Sequence, residues 1–252
     1  MKKKTLLKSI SAIAAFSIIF FLFYIYNGFM GNPISAKIAN SKMKAYINKT
    51  YPDLDLTVSE TKYNFKNSGY FSKVQSKKSQ DTQFTVSCSK GRVTDDYEYE
   101  VANKFTTYRR LCDLFNKDVE DILSKEFPYH TTIVIADYGK GEFDLNELKL
   151  DMPYDITNPP VPASLAVYCS SDKFTYEVLS KRLLELDAIM KKHNVPITTY
   201  SLTLEAYETV DKPADHRLYL IDFPADKINS TDLVNEIKKH QTEWEQDPAH
   251  QK

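Results

Sequence analysis

The longest apolar run of the chain lies at its start. Residues 9–36 carry no charged side chain, and Ile10 to Met30 is mostly aliphatic or aromatic. At about 1.5 Å per residue this run is about 30 Å long as a helix, the thickness of a bilayer core. Gly31–Asn32–Pro33 breaks it. Asn32 suits an N-cap and Pro33 a first helical position, so a second helix is predicted over 33–50. Its loose apolar stripe is Ile34, Ile38, Ala45 and Tyr46, and Tyr51–Pro52 ends it. Period two follows. Leu54, Leu56 and Val58 alternate with polar residues, as do Tyr63 and Phe65, and Asn67–Ser68–Gly69 reads as a turn. Tyr70 to Val74 makes a further strand. Phe84, Val86 and Cys88 alternate with Gln83, Thr85 and Ser87, and Tyr97, Tyr99 and Val101 alternate with Glu98 and Glu100. This predicts a half-exposed antiparallel meander of about four strands. The clearest helical stripe comes next: Phe105, Tyr108, Cys112, Phe115, Val119, Ile122 and Leu123.

The second half restarts at Thr131 to Ala136, a buried strand by composition. The stretch from Asp137 to Pro162 is polar and rich in proline, long for a loop inside a domain. Leu165, Val167 and Cys169 predict a strand. Leu179, Leu183, Leu186 and Met190 predict a helix over 173–193. Tyr200, Leu202 and Leu204 predict a strand and Leu218 to Ile221 another. A last helix carries Val234 and Ile237, with its cap near Asn229–Ser230. The fold class is therefore α+β, an N-terminal transmembrane helix followed by two small α+β domains with antiparallel sheets. The segments are a tail at 1–8, an anchor at 9–30, and a membrane-proximal domain at 31–127 ordered helix, strands, helix. A distal domain at 128–244, ordered β-β-α-β-β-α, and a polar tail at 245–252 complete the chain.

The first segment decides location. A cleaved signal peptide has a shorter apolar core and a small-residue cleavage site. Here the run ends in Tyr–Asn–Gly–Phe–Met, which favours an uncleaved anchor through residues 10–30, with the lipid bilayer as partner. Lys2, Lys3, Lys4 and Lys8 precede the span, whereas Lys37, Lys42 and Lys44 follow it. With the amino terminus added, the bias places the N-terminus in the cytoplasm and the domains outside.

Charge excludes one function class. The 33 basic and 34 acidic side chains give a net charge of −1, which argues against a nucleic-acid partner held by bulk charge. Residues 31–127 hold 16 basic and 13 acidic side chains, and residues 128–252 hold 13 and 21. The proximal part is mildly basic and the distal part acidic. The reading is of an ordinary solvated surface, with contact to anionic lipid as the alternative. Three cysteines, Cys88, Cys112 and Cys169, allow at most one bridge and form no C-x-x-C pair. Cys112 lies on the helical stripe and is expected in the core.

The search for chemistry returns little. With six glycines, neither G-x-G-x-x-G nor a P-loop is present. Ser41–Lys42–Met43–Lys44 matches S-x-x-K without its partner motifs and reads as a helix face. Asp137, Gly139, Gly141, Glu142 and Asp144 fail the spacing of a calcium loop. Asp144, Glu147, Asp151 and Asp155 read as a solvated acidic loop rather than a cation site. No histidines pair at i,i+4, and His193 fits a helix C-terminus. Tyr97 and Tyr99 beside Glu98 and Glu100 read as sheet packing, with a glycan- or protein-contacting face as the alternative. No catalytic, cofactor-binding or metal-binding residue is assigned, and no cofactor is expected.

Short stretches carry a family likeness. They are Gly31–Asn32–Pro33–Ile34–Ser35 after the apolar span, Tyr46 through Tyr51–Pro52, Tyr63–Asn64–Phe65 with Gly69–Tyr70, and Asp81–Thr82–Gln83–Phe84. With these the chain resembles the YfjL-like membrane proteins of low-GC Gram-positive bacteria. The resemblance implies a single-pass anchored protein with two small outward domains, and it transfers no catalytic residue. The expected function is a non-enzymatic, extracytoplasmic binding or interaction module of the cell envelope, its partner an envelope protein, a peptide or a wall polymer. The alternatives are a sensor or regulatory subunit of a membrane complex and an envelope hydrolase.

Overall fold

The computed structural model describes residues 2–139, 145–206 and 217–248. The chain divides into two compact units, the first ending at Thr106 and the second starting at Thr107.

The first unit opens with helix α1 (Lys2–Met30), whose residues 10–26 are all exposed. Gly31 adopts φ +68°, and helix α2 (Pro33–Thr50) starts from Asn32, whose Oδ1 accepts the amide of Ser35 at 2.7 Å. Five short strands follow: β1 (Leu56–Val58), β2 (Lys62–Asn64), β3 (Gly69–Ser76), β4 (Gln83–Ser89) and β5 (Arg92–Asp95). All pair antiparallel in the order β1-β3-β4-β5, with β2 on the same edge of β3 as β1. Helix α2 covers one face through Ala39, Met43 and Ile47, which meet Val74, Phe84, Val86 and Cys88. The stripe expected from Ile34, Ile38 and Ala45 is not the buried one. A shorter row spaced by four residues fits the sheet better, and Ile34 and Ile38 stay exposed.

A second expectation fails at Tyr97–Val101. These residues alternate like a strand, yet Glu98–Ala102 is a π-helical turn. Asp95 and Asp96 end β5: the carboxylate of Asp95 accepts the amide of Tyr97 at 3.0 Å, and the carbonyl of Asp96 accepts the amide of Glu100 at 2.9 Å. A carboxylate that takes a nearby backbone amide, as Asp95 does, favours a turn over a ladder. Tyr97 then packs beside Tyr51 and Phe84, and Tyr99 is exposed.

The second unit contains helix α3 (Phe105–Glu126), strands β6 (Thr131–Tyr138) and β7 (Ala163–Ser170), helix α4 (Tyr176–Lys192), strands β8 (Ile197–Glu205) and β9 (Arg217–Pro224), and helix α5 (Leu233–Gln246). The sheet runs β6-β7-β8-β9. The pairs β6–β7 and β8–β9 are antiparallel, but β7 and β8 are parallel, so this sheet is mixed rather than antiparallel. The parallel pair follows from α4, which carries the chain back to the starting end of the sheet.

One sheet face is the core. Leu165, Val167, Cys169, Leu202, Leu204 and Leu220 meet Leu179, Leu183, Leu186 and Met190 of α4 and Ile237 of α5. Asp232 caps α5 through the amide of Asn235, two residues beyond the expected cap. The stripe of α3 (Leu111, Phe115, Val119 and Leu123) lies in this same core, and Phe115 stacks on Tyr138 at 4.5 Å. The domain boundary expected at 127 is therefore misplaced. Helix α3 closes the second sheet, whereas α2 is the helix that covers the first. The three cysteines are free thiols.

Candidate functional site

Among the described residues of the second unit, no helix covers the opposite face of the second sheet. In a half-covered strand successive side chains alternate between core and solvent. On β6, Val134, Ala136 and Tyr138 take the core side, so Ile133 and Ile135 point out, 45% and 51% exposed. The expectation of a fully buried strand fails here, because the run is apolar in both phases but covered in one. On β7 the outward residues are Ala166 and Tyr168. On β8 they are Ser201 and Thr203, and on β9 Arg217, Tyr219 and Ile221.

The outward residues of β7, β8 and β9, with Asp222 and Trp244, line an open groove of about 380 Å³. Trp244 comes from the last turns of α5 and meets the ring of Tyr219 edge-on at 6.4 Å. The register of β8 and β9 shifts between Tyr200 and Leu202, and Asp222 sits opposite this irregularity with φ +53°. A left-handed residue inside a strand is uncommon and re-aims its side chain. Ser201 holds it: the hydroxyl donates to Asp222 Oδ1 at 3.2 Å and accepts the Asp222 amide at 3.0 Å. At the other end of β9, Arg217 lies 3.9 Å from Glu205, which also accepts the hydroxyl of Thr132. The groove thus has aromatic and aliphatic walls between a guanidinium and a carboxylate.

Both edges of this sheet are blunted. Asn116 of α3 accepts the amide of Ala136 at 2.8 Å, and Nε2–H of His240 donates to the carbonyl of Ile221 at 2.8 Å. An added strand would have to displace these side chains, so the accessible surface is the face and not the rim.

The reactive side chains lie elsewhere in the unit. Asp137 accepts hydrogen bonds at Oδ1 from Tyr108 at 2.9 Å, from the thiol of Cys112 at 2.9 Å and from the Tyr138 amide at 2.7 Å. Burial first, and the Asp137 carboxylate second, push the Cys112 thiol up to about 12. A thiol held neutral is a poor nucleophile. The cluster fastens α3 to β6, and Cys112 is half-buried rather than fully in the core. His130 lies 3.2 Å from Ser170, but Ser170 is 3% exposed, which leaves a substrate carbonyl no approach to its hydroxyl. Arg182 is buried under Tyr129, its ring 4.0 Å away, and donates to the carbonyl of Ser170 at 2.9 Å.

The motifs singled out from sequence do not converge. Ser41, Lys42 and Lys44 are exposed on α2, where Met43 is buried. Glu142 and Asp144 lie outside the described residues. Glu147, Asp151 and Asp155 are exposed, and the carboxylate of Asp155 is used by the amide and hydroxyl of Thr157. Among the described residues no group of three His, Cys, Asp or Glu side chains is gathered as a metal would require. His193 ends α4 and meets Glu126 at 2.7 Å. Sequence reasoning passed over Tyr168, Tyr219 and Trp244. Their signal was phase: Tyr168 and Tyr219 fall between the core positions of their strands, and Trp244 is the single tryptophan of the chain.

Comparison with known proteins gives two family matches. Residues 6–97 match the model described as YfjL-like, N-terminal domain, and residues 114–238 match the YfjL-like C-terminal domain. The gap between them contains the start of α3, in keeping with a division near Thr106. No curated protein matches the chain. A crystal structure of a DUF5037 family protein from Ruminococcus gnavus is 11% identical, with 79% of this chain and 98% of that one covered. Its TM-score is 0.25, too low to carry weight.

Proposed function

The chain belongs to the YfjL-like family, and from that premise we propose that it is a non-enzymatic interaction module, tethered to the cell membrane by residues 10–30 with both units outside. The observation that carries the binding reading is the uncovered face of the second sheet. Ile133 and Ile135 of β6 and Tyr219 of β9 leave apolar area in water on this face, with Tyr168 in register beside Ile133, and grouped exposed apolar side chains mark contact surfaces. Tyr and Trp are the side chains that most often anchor such contacts, since they bury large area at small entropic cost. The membrane reading rests on α1, long and apolar enough to cross a bilayer. The outward orientation rests on the lysines ahead of the span.

The test is site-specific photocrosslinking in native membranes. Benzophenone placed at Tyr168, in the groove, should give a discrete adduct with an envelope protein or peptide. Benzophenone at Lys239, exposed on α5, should not. Equal patterns from the two positions would remove the face as a binding surface. Protease added to intact protoplasts should digest residues 31–252, and full protection would overturn the orientation.

A further inference from the structure

The end of the first sheet nearest the anchor carries a feature that the uncovered face does not explain. Strand β2 runs back along the α2–α1 junction. Asn40 donates to the hydroxyl of Thr61 at 2.7 Å, Tyr63 donates to the carbonyl of Gly28 at 3.1 Å, and Phe65 places its ring 5.9 Å from that of Phe29. Each step of two residues along β2 therefore moves toward α1, and the β2–β3 turn lies beside the last helical turn of the apolar span.

The joint is tight. The amide of Asn32 donates to the Tyr70 hydroxyl at 3.0 Å, and that hydroxyl donates back to the Asn32 carbonyl at 3.3 Å. Gly31 packs under Tyr63 so closely that a Cβ would lie 2.7 Å from the ring. The turn is fixed against the helix end rather than free to swing from it.

Its composition suits one environment. Phe65 is 52% exposed and Phe29 62%. Lys62 and Lys66 flank Phe65 and are exposed, as is Lys37 on α2. No acid occurs in residues 31–52, 61–80 or 82–94; the acids of the unit are Asp53, Asp55, Glu60, Asp81, Asp95, Asp96, Glu98 and Glu100, of which Glu60 lies nearest the turn in sequence. An apolar tip ringed by lysines, continuous with a spanning helix, complements the anionic surface of a bilayer. There the ring sits among headgroups and the ammonium groups reach phosphates.

We infer that the β2–β3 turn is a second membrane contact, seating Phe65 in the headgroup layer of an anionic bilayer with Lys62 and Lys66 on lipid phosphates. This rests on the reading of α1 as a membrane span. The test uses the full chain in lipid nanodiscs. Phe65→Trp in a Trp244→Phe background gives a single emitter at the turn, and Phe20→Trp in the same background gives one in the span. Lipids spin-labelled near the headgroup should quench the emitter at 65, more strongly with phosphatidylglycerol than with phosphatidylcholine alone. Lys62→Glu with Lys66→Glu should remove the difference between the two lipids. Lipids labelled deep in the acyl chains should quench the emitter at 20. Quenching at 20 without quenching at 65 overturns the turn contact alone. Loss of both shows that the span itself was misread. Quenching at 65 that ignores lipid charge overturns the role of the lysines.

Discussion

The two sheets of this protein share a plan and differ on their bare sides. Each has one face covered by helix and the other open. The open face of the first sheet carries Lys73, Gln75, Thr85, Ser87 and Thr94, with Phe71 the one aromatic among them, and its groove of about 460 Å³ is lined largely by Asn, Ser and Thr. The open face of the second carries Ile133, Ile135, Tyr168, Tyr219 and Ile221. Water solvates the first without cost. The second leaves apolar area unburied that a polar residue in the same phase would have spared. The second unit has the larger core, gathered from α3, α4 and α5, whereas α2 covers the first sheet. The proposed binding face requires that the fold not depend on these apolar side chains.

The largest test of this division is in the cores. Phe115→Ala should cost about 3–5 kcal/mol, as for other buried aromatic truncations. Hydrogen exchange should locate the loss in residues 107–248, with the amides of β3 and β4 unchanged. Met43→Ala should cost about 2–5 kcal/mol and do the reverse. If Phe115→Ala loosened β3 and β4, α3 would belong with the first sheet after all.

That helix shows what the sequence made legible and what it did not. Its period marked α3 as amphipathic, but of the expected stripe only Phe115, Val119 and Leu123 are buried; Phe105, Tyr108, Cys112 and Ile122 are half-buried, and Leu111, outside that stripe, completes the buried row. The period said nothing about which sheet the stripe faces, because a helix between two sheets reads the same toward either. The chain order helix, strands, helix suggested closure of the first. The alternation at Tyr97 to Val101 misled for a related reason: period two is a side-chain pattern, and the Asp95–Asp96 turn that overrides it is a backbone event. The parallel pairing of β7 and β8 was implicit in the single helix between them. The open face was hidden because the apolar run from Ile133 to Ala136 looks buried on both sides, and only the positions of the three helices show that it is not.

The anchor joint gives the next effect. Gly31→Ala forces a side chain into left-handed backbone, worth about 1–2 kcal/mol, and drives its Cβ against Tyr63. The first unit should lose stability and the second should not, as read by separate unfolding transitions. A Gly31→Ala chain with both transitions unchanged would mean that α1 is not held against β2.

Alkaline pH should separate the units by a smaller margin. Each fastens a helix to a sheet through hydroxyls on one aspartate: Tyr46 and Tyr51 on Asp95, Tyr108 with the thiol of Cys112 on Asp137. All four donors have their folded values raised. The Asp95 hydrogen bond leads for Tyr46, and burial leads for Tyr51, Tyr108 and Cys112. A raised folded value means that the stabilisation is complete below the unfolded value and is lost as pH climbs toward the folded one. The thiol starts lowest, near 9, and is held up to about 12. The second unit should therefore begin to lose stability above about pH 9 and the first only above about pH 10, the unperturbed range of tyrosine. Cys112→Ser should remove that head start, and simultaneous alkaline loss in the unsubstituted chain would show that the thiol carries no such stabilisation.

The smallest effect bears most directly on function. Ile135 is half-exposed on β6, where a Thr keeps the β-branched shape and so the strand preference. Ile135→Thr should change stability by no more than about 0.5 kcal/mol, the range of ordinary surface substitutions. Buried behind a helix, the same change would cost several times more, because it would place a hydroxyl in an apolar site. Placed beside benzophenone at Tyr168, the substitution should weaken the crosslinked adduct while leaving the unfolding transition in place. A large stability loss would mean that the face is part of the core and that the apolar side chains are there for folding. An unaltered transition with an unaltered adduct would move the contact away from β6, toward the Tyr219–Trp244 end of the groove.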